Sequence, residues 1–130
     1  MSKLNILLIE PDIMLGKVYK DFLASKDFNV VLCNDGQKAI DAIDIKKPDL
    51  IILELQLTAH NGYEFLYELR SYTEWFSIPV IINSLIPRSR AKIDDENIKN
   101  LGVVAYLYKP TTSLEKLNNI IENSIKTANI

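Results

Sequence analysis

Alternation constrains this chain more than any other feature. Five short apolar runs, "LNILLI" (4–9), "FNVVLC" (28–33), "DLIILE" (49–54), "PVIINS" (79–84) and "VVAYLY" (103–108), are separated by stretches of helical spacing. Most of the runs are rich in Ile and Val and apolar on both faces, as strands covered on both sides are. In "DIMLGKVYKDFLASKD", Ile13, Leu15, Val18, Phe22 and Leu23 recur near helical spacing behind Asp12 as N-cap. "DGQKAIDAIDIKKPD" carries a stripe of Ala39, Ile40 and Ile43, and Pro48 bars continuation. "NGYEFLYELRSY" places Phe65, Leu66 and Leu69 on one side, and "RSRAKIDDENIKNLG" has a thin stripe of Ile93, Ile98 and Leu101 that stops at Gly102. "TSLEKLNNIIENSIKTA" opens on a capping-box-like Thr112-Ser113-Leu114-Glu115 and shows Leu114, Leu117, Ile121 and Ile125. The order βαβαβαβαβα predicts an α/β, doubly wound parallel sheet with right-handed crossovers.

The chain's 130 residues fit one domain spanning 1–130, and 48% hydrophobic content is enough for a core of that size. A net charge of −2 gives no electrostatic pull toward nucleic acid. "MSKLNILLIE" is too short for a signal-peptide core or a membrane span. Cys33 is the one cysteine, so no internal disulfide forms, and it reads as a small buried residue. The expectation is a soluble cytoplasmic protein with no membrane attachment. "MSK" reads as a natural start, and no output domain follows the last helix, so the chain either acts alone or was cut from a longer one.

In open α/β sheets, ligands bind outside the carboxyl ends of the strands. Those ends read "IEPD", "LELQ", "INSL" and "LYKP", supplying Glu10, Asp12, Glu54, Ser84 and Lys109. Carboxylates, a hydroxyl and an ammonium can therefore converge on one surface. Each residue alone is unremarkable, and a strand-end acid such as Glu54 is often only a solubilising charge. Their combination carries the argument.

At these residues the chain resembles a response-regulator receiver domain of two-component signalling. The resemblance rests on "LNILLIEPD", "KKPDLIILELQLTAHNGYEFLYELR", "IPVIINS" and "AYLYKP", in order, and covers essentially the whole chain. It implies a flavodoxin-like five-stranded sheet of strand order 2-1-3-4-5. It also implies a phospho-acceptor Asp after strand three, an acid pair after strand one that organises Mg²⁺, a Ser or Thr after strand four and a Lys after strand five. Such a pocket neutralises crowded carboxylates and the charge of the transferred phosphoryl group.

This sequence departs from that pattern. The acceptor position holds Glu54, whose carboxylate reaches about one bond further, and in-line attack loses on the order of a hundredfold for 1 Å of misplacement. The acid pair aligns with Glu10 and Pro11, and Pro11 has no oxygen to give a metal. Asp12 is one residue late and reads first as a helix cap, second as a metal ligand. Thr58 replaces the family's usual Pro, and Leu85 replaces its usual small residue beside Ser84 and narrows access. Retained are Ser84, the switch aromatic Tyr106 and Lys109, whose expected partner is Glu54. No cofactor is expected, with Glu10, Asp12 and Glu54 as weak Mg²⁺ candidates. Glu54 reads as the remnant of an acceptor acid, either mimicking the on state or pairing with Lys109 in an off-like one.

The first functional reading is a phosphorylation-independent pseudo-receiver, not an enzyme, acting through protein–protein contact. The second is a working receiver that accepts phosphate from a histidine kinase with Mg²⁺. The third is a flavodoxin-like cofactor binder, disfavoured because "EPDIMLG" is no phosphate loop. The resemblance places partners, a sensor kinase, another regulator or a second copy as homodimer, on helix four, strand five and helix five, where Arg88, Arg90, Lys92, Asp94, Asp95 and Tyr108 are candidates. Trp75 and Phe76 read as packing, His60 as an exposed loop residue, and the loop "SLIPRSR" as longer than usual and stiffened by Pro87.

Overall fold

A computed structural model describes residues 3–57 and 61–128. Thr58 and His60 lie outside the described residues. Five parallel strands form one sheet in the order β2-β1-β3-β4-β5. They are β1 (Asn5–Ile9), β2 (Asn29–Cys33), β3 (Leu50–Leu53), β4 (Val80–Ser84) and β5 (Val103–Tyr108). The helices between and after them are α1 (Ile13–Ser25), α2 (Gly36–Ile45), α3 (Gly62–Ser71), α4 (Asp95–Asn100) and α5 (Leu114–Ala128). This is the predicted flavodoxin-like α/β fold.

Two core layers sandwich the sheet. Ile6, Leu8, Leu50, Ile52, Ile81 and Leu107 enter the layer that also holds Tyr19 and Leu23 of α1 and Leu117 and Ile121 of α5. Leu7, Ile9, Ile51, Leu53, Val80 and Ile82 face the other layer, with Ala39, Ile40 and Ile43 of α2 and Phe65, Leu66 and Leu69 of α3. The central strands β1, β3 and β4 are apolar on both faces because both are covered. The edge strands are not: Val31 and Val104 are each 53% exposed.

Several expectations about helices need correction. The α1 stripe holds in part: Leu23 is buried and Leu15 and Phe22 pack against the core, but Ile13 and Val18 face solvent, and Gly16 and Tyr19 are buried in their place. Gly16 makes this possible, because a Cβ there would stand 2.9 Å from Leu32 Cδ1. The fourth helix is only Asp95–Asn100, since Asp94 caps it by accepting from Asn97 N at 2.8 Å, and Ile93 packs from the preceding loop. The α5 cap is Ser113, which accepts from Lys116 N; Thr112 instead donates its hydroxyl to Tyr108 O. Trp75 is buried, but Phe76 is exposed.

The Asn61-Gly62 pair starts α3 against the end of β3. Asn61 Oδ1 caps by accepting from Glu64 N at 2.9 Å, and Gly62 N donates to Leu55 O at 2.8 Å. A Cβ on Gly62 would lie 2.7 Å from Leu55 Cα, so no larger residue allows that approach.

Candidate functional site

The carboxyl ends of β1, β3, β4 and β5 bring Glu10, Glu54, Ser84 and Lys109 into one buried cluster. Leu53 pairs with Ile9 on one side and Ile82 on the other, so Glu10 and Glu54 stand in adjacent places one row further on. Lys109 opens the turn after β5, and its Nζ donates to Glu54 Oε1 at 2.7 Å and to Glu10 Oε1 at 2.5 Å. The three side chains are 5%, 2% and 4% exposed for Lys109, Glu54 and Glu10.

Four donors engage the two oxygens of Glu54. Oε1 accepts from Lys109 and from Leu85 N at 3.0 Å. Oε2 accepts from Gln56 N at 3.1 Å and from the Ser84 hydroxyl. Burial alone pushes the Glu54 carboxyl up, but donation from Lys109, Ser84 and Gln56 outweighs it and holds the group below its ordinary range. Burial likewise pushes Lys109 down, and bonds to Glu10 and Glu54 reverse the sign, leaving the ammonium raised. Glu10 Oε2 accepts from Asp12 N at 3.1 Å, which ties the turn after β1 to the cluster.

A relay leads outward from Glu54. The Ser84 hydroxyl accepts from Ile86 N at 3.0 Å, and the Tyr106 hydroxyl donates to Ile86 O at 2.5 Å. Burial pushes the Tyr106 phenol up to about 12. The Arg88 guanidinium stands 5.7 Å from the Tyr106 ring centroid and pairs with Asp95 at the start of α4. Lys92 N donates to Tyr63 OH at 3.0 Å. Residues 85–94 are thus tied to the pocket at one end and to α3 and α4 at the other.

Of the sequence candidates, Asp12 is not drawn in: its carboxylate caps α1 by accepting from Leu15 N at 3.0 Å and is exposed. The Leu85 side chain is about half exposed, and its contribution to the site is its N–H. Sequence reasoning missed the Leu85 and Gln56 amides, which carry no side-chain signal. It also missed Asn83, a polar residue in an apolar strand that is 3% exposed. Arg70 was missed too: its guanidinium donates to Leu101 O, Trp75 O, Phe76 O and Ile78 O at 2.7, 2.9, 3.1 and 2.6 Å.

Against known families, the sequence model of the response regulator receiver domain matches residues 6–122. The chain belongs to this family. As a receiver domain it is 32% identical over 121 residues to ycf29 of Porphyra purpurea, described as a probable transcriptional regulator, covering 93% of this chain and 56% of that protein. The chain therefore spans about half the length of that relative, and 54% of its Pyropia yezoensis counterpart. It is 27% identical to the polar-differentiation response regulator DivK of Brucella anthropi, over 82% of this chain and 84% of DivK. Among solved structures, chemotaxis response regulator CheY4 of Vibrio cholerae superposes with a TM-score of 0.81 at 19% identity, over 93% of this chain and 98% of that one. A sensor protein from Polaromonas sp. JS666 reaches 0.86 at 17% identity, over 96% and 98%. No helix among the described residues is long and apolar enough to cross a membrane.

Receivers imply a Mg²⁺ at this end of the sheet, and this receiver's residues do not fit one. Mg²⁺ takes near-octahedral oxygen ligands. Here both Glu54 oxygens and both Glu10 oxygens already accept hydrogen bonds, Asp12 points to its helix, and Pro11 offers no side-chain oxygen. Among the described residues no three acids, histidines or cysteines form a metal-binding group.

Proposed function

We propose that this receiver works without phosphorylation, as a permanently set module that signals through protein–protein contact. One observation carries the reading: the Glu54 carboxylate, at the acceptor position, has four hydrogen-bond donors on its two oxygens. A carboxylate so engaged is a poor nucleophile, and its stable partner Lys109 occupies the charge that would otherwise meet an incoming phosphoryl group. With Pro11 in the acid pair, the pocket also lacks the oxygen that would draw in a divalent ion.

The lock has a direction. Glu54 holds Ser84 and Leu85, Ser84 holds Ile86, and Ile86 holds Tyr106, so the acid fixes one arrangement of residues 84–86 beneath the surface of α4 and β5. A partner that reads this face, a kinase, a regulator or a second copy, would meet one conformation. Arg90, Lys92 and Tyr108 are exposed there, whereas Arg88 and Asp95 are engaged with each other.

Amide NMR shifts during a Mg²⁺ titration test the reading. The natural protein is expected to leave Gln56 and Leu85 unmoved through 10 mM-order Mg²⁺, and a Pro11→Asp, Glu54→Asp variant to shift both. Saturable shifts in the natural protein would overturn the proposal.

A further inference from the structure

We infer that Asn83 is a further positioning residue of the buried cluster, its side-chain oxygen taking the third N–H of the Lys109 ammonium. Asn83 is 3% exposed, and its Oδ1 has no hydrogen-bond partner in the structure. Buried polar atoms in native proteins are paired almost without exception, so this one calls for a donor.

The register says where the donor is. Leu53 pairs with Ile9 and with Ile82, so Glu10, Glu54 and Asn83 share the next row across the sheet. Side chains alternate along strands. Ile6, Leu8, Leu50, Ile52, Ile81 and Leu107 all enter the layer covered by α1 and α5. Continuing that alternation places Glu10, Glu54, Asn83 and Lys109 on the same face. β4 lies between β3 and β5, so the Lys109 side chain must cross β4 to reach Glu54 and Glu10. Asn83 pairs with Leu107, two residues before Lys109, so Asn83 is the diagonal same-face neighbour of Lys109 on β4.

Lys109 commits two N–H groups to carboxylates, and an ammonium has three. The third is buried with it. An acceptor without a donor and an ammonium with one N–H beyond its two carboxylate bonds therefore sit on one face of adjoining strand ends. The terminal torsion of Asn is soft, so the amide turns toward the ammonium without moving the strand. A Val or Ile at this place, matching Val80, Ile81 and Ile82 before it, would leave the third N–H unmet. This deepens the proposed lock by adding a neutral acceptor to its charged ones.

The test uses the unphosphorylated protein without Mg²⁺, so it succeeds or fails independently of the Mg²⁺ and phosphate behaviour of the pocket. In the natural protein, NMR detects Lys109 ¹⁵Nζ and any coupling across a hydrogen bond to side-chain carbonyl carbons. A coupling to Asn83 Cγ is expected. Exchange of the Lys109 ammonium protons with water is expected to rise at least tenfold in Asn83→Leu and to return toward the natural rate in Asn83→Ser, which restores an oxygen. No coupling to Asn83, or a coupling instead to Asn118, whose Oδ1 is also buried and unpartnered, would overturn the inference. So would unchanged exchange in a folded Asn83→Leu. If Asn83→Leu does not fold, the coupling in the natural protein decides alone.

Discussion

Lys109 and Glu54 lie 55 residues apart in sequence and form an ion pair at 2.7 Å with both side chains almost wholly buried. Burying charges is costly, and geometry repays it only when both partners stay. Lys109→Met leaves Glu10 and Glu54 facing each other without a cation. It is expected to cost about 3–5 kcal/mol of stability in urea unfolding. The triple change Glu10→Gln, Glu54→Gln, Lys109→Met should recover most of that loss, because no uncompensated charge remains.

The same pair sets a pH dependence. The Glu54 carboxyl titrates below its ordinary 4.5 when folded, so its contribution is full above that value and is lost as pH falls through the lower folded value. Lys109 and Tyr106 are raised. Their contributions are full below their ordinary 10.5 and 10.0 and are lost as pH climbs, for Tyr106 through about 12. Thermal midpoints against pH should show both limbs. Glu54→Gln should flatten the acid limb, and Tyr106→Phe should reduce the alkaline one.

Ser84→Ala should loosen the loop after β4 without unfolding the sheet. Ile86 N loses its acceptor and Glu54 Oε2 one donor. Native-state hydrogen exchange at Leu85 and Ile86 should speed up by roughly tenfold, the equivalent of about 1.4 kcal/mol of local opening. Amides of β1 and β3 should be unchanged. Equal acceleration throughout would mean that Ser84 supports the whole fold and not this relay.

Arg70 clamps the opposite end of the sheet. Its four carbonyl acceptors come from the end of α4, the Trp75–Phe76 turn and the approach to β4, and burial pushes its guanidinium down. Arg70→Ala should cost at least about 2 kcal/mol, since buried carbonyls left unpaired cost ~1–3 kcal/mol. Arg70→Lys should restore less than half, because an ammonium lacks the planar fork. Gly102→Ala should destabilise by a comparable amount: φ there is +74°, and a Cβ would stand 2.4 Å from Arg70 Nη2. Urea unfolding of the three variants checks the set.

Strand positions were legible because β1, β3 and β4 are continuous apolar runs with no other use. The pocket was legible because ligands gather at strand ends, and Glu54, Ser84 and Lys109 did converge. What failed was phase and extent in amphipathic segments. Ile13 and Val18 look like core residues by spacing, yet Gly16 lets α1 turn a different face to Leu32. Ile93 fits a helical stripe but packs from a loop, because Asp94 caps the helix after it. Arg70 and Asn83 gave no motif at all. A guanidinium bound to main-chain carbonyls, and a buried amide at the end of β4, are determined by tertiary surroundings that spacing does not encode.

Intact mass after incubation with acetyl phosphate and Mg²⁺, run beside a Pro11→Asp, Glu54→Asp variant, decides whether this pocket takes up phosphate. No phosphoryl mass is expected on the natural protein and a clear gain on the variant, a receiver fold whose chemistry returns when two side chains are restored. A phosphoryl gain on the natural protein would contradict the proposed function, and would mean that Lys109 and Ser84 release Glu54 or that another acid takes the phosphate.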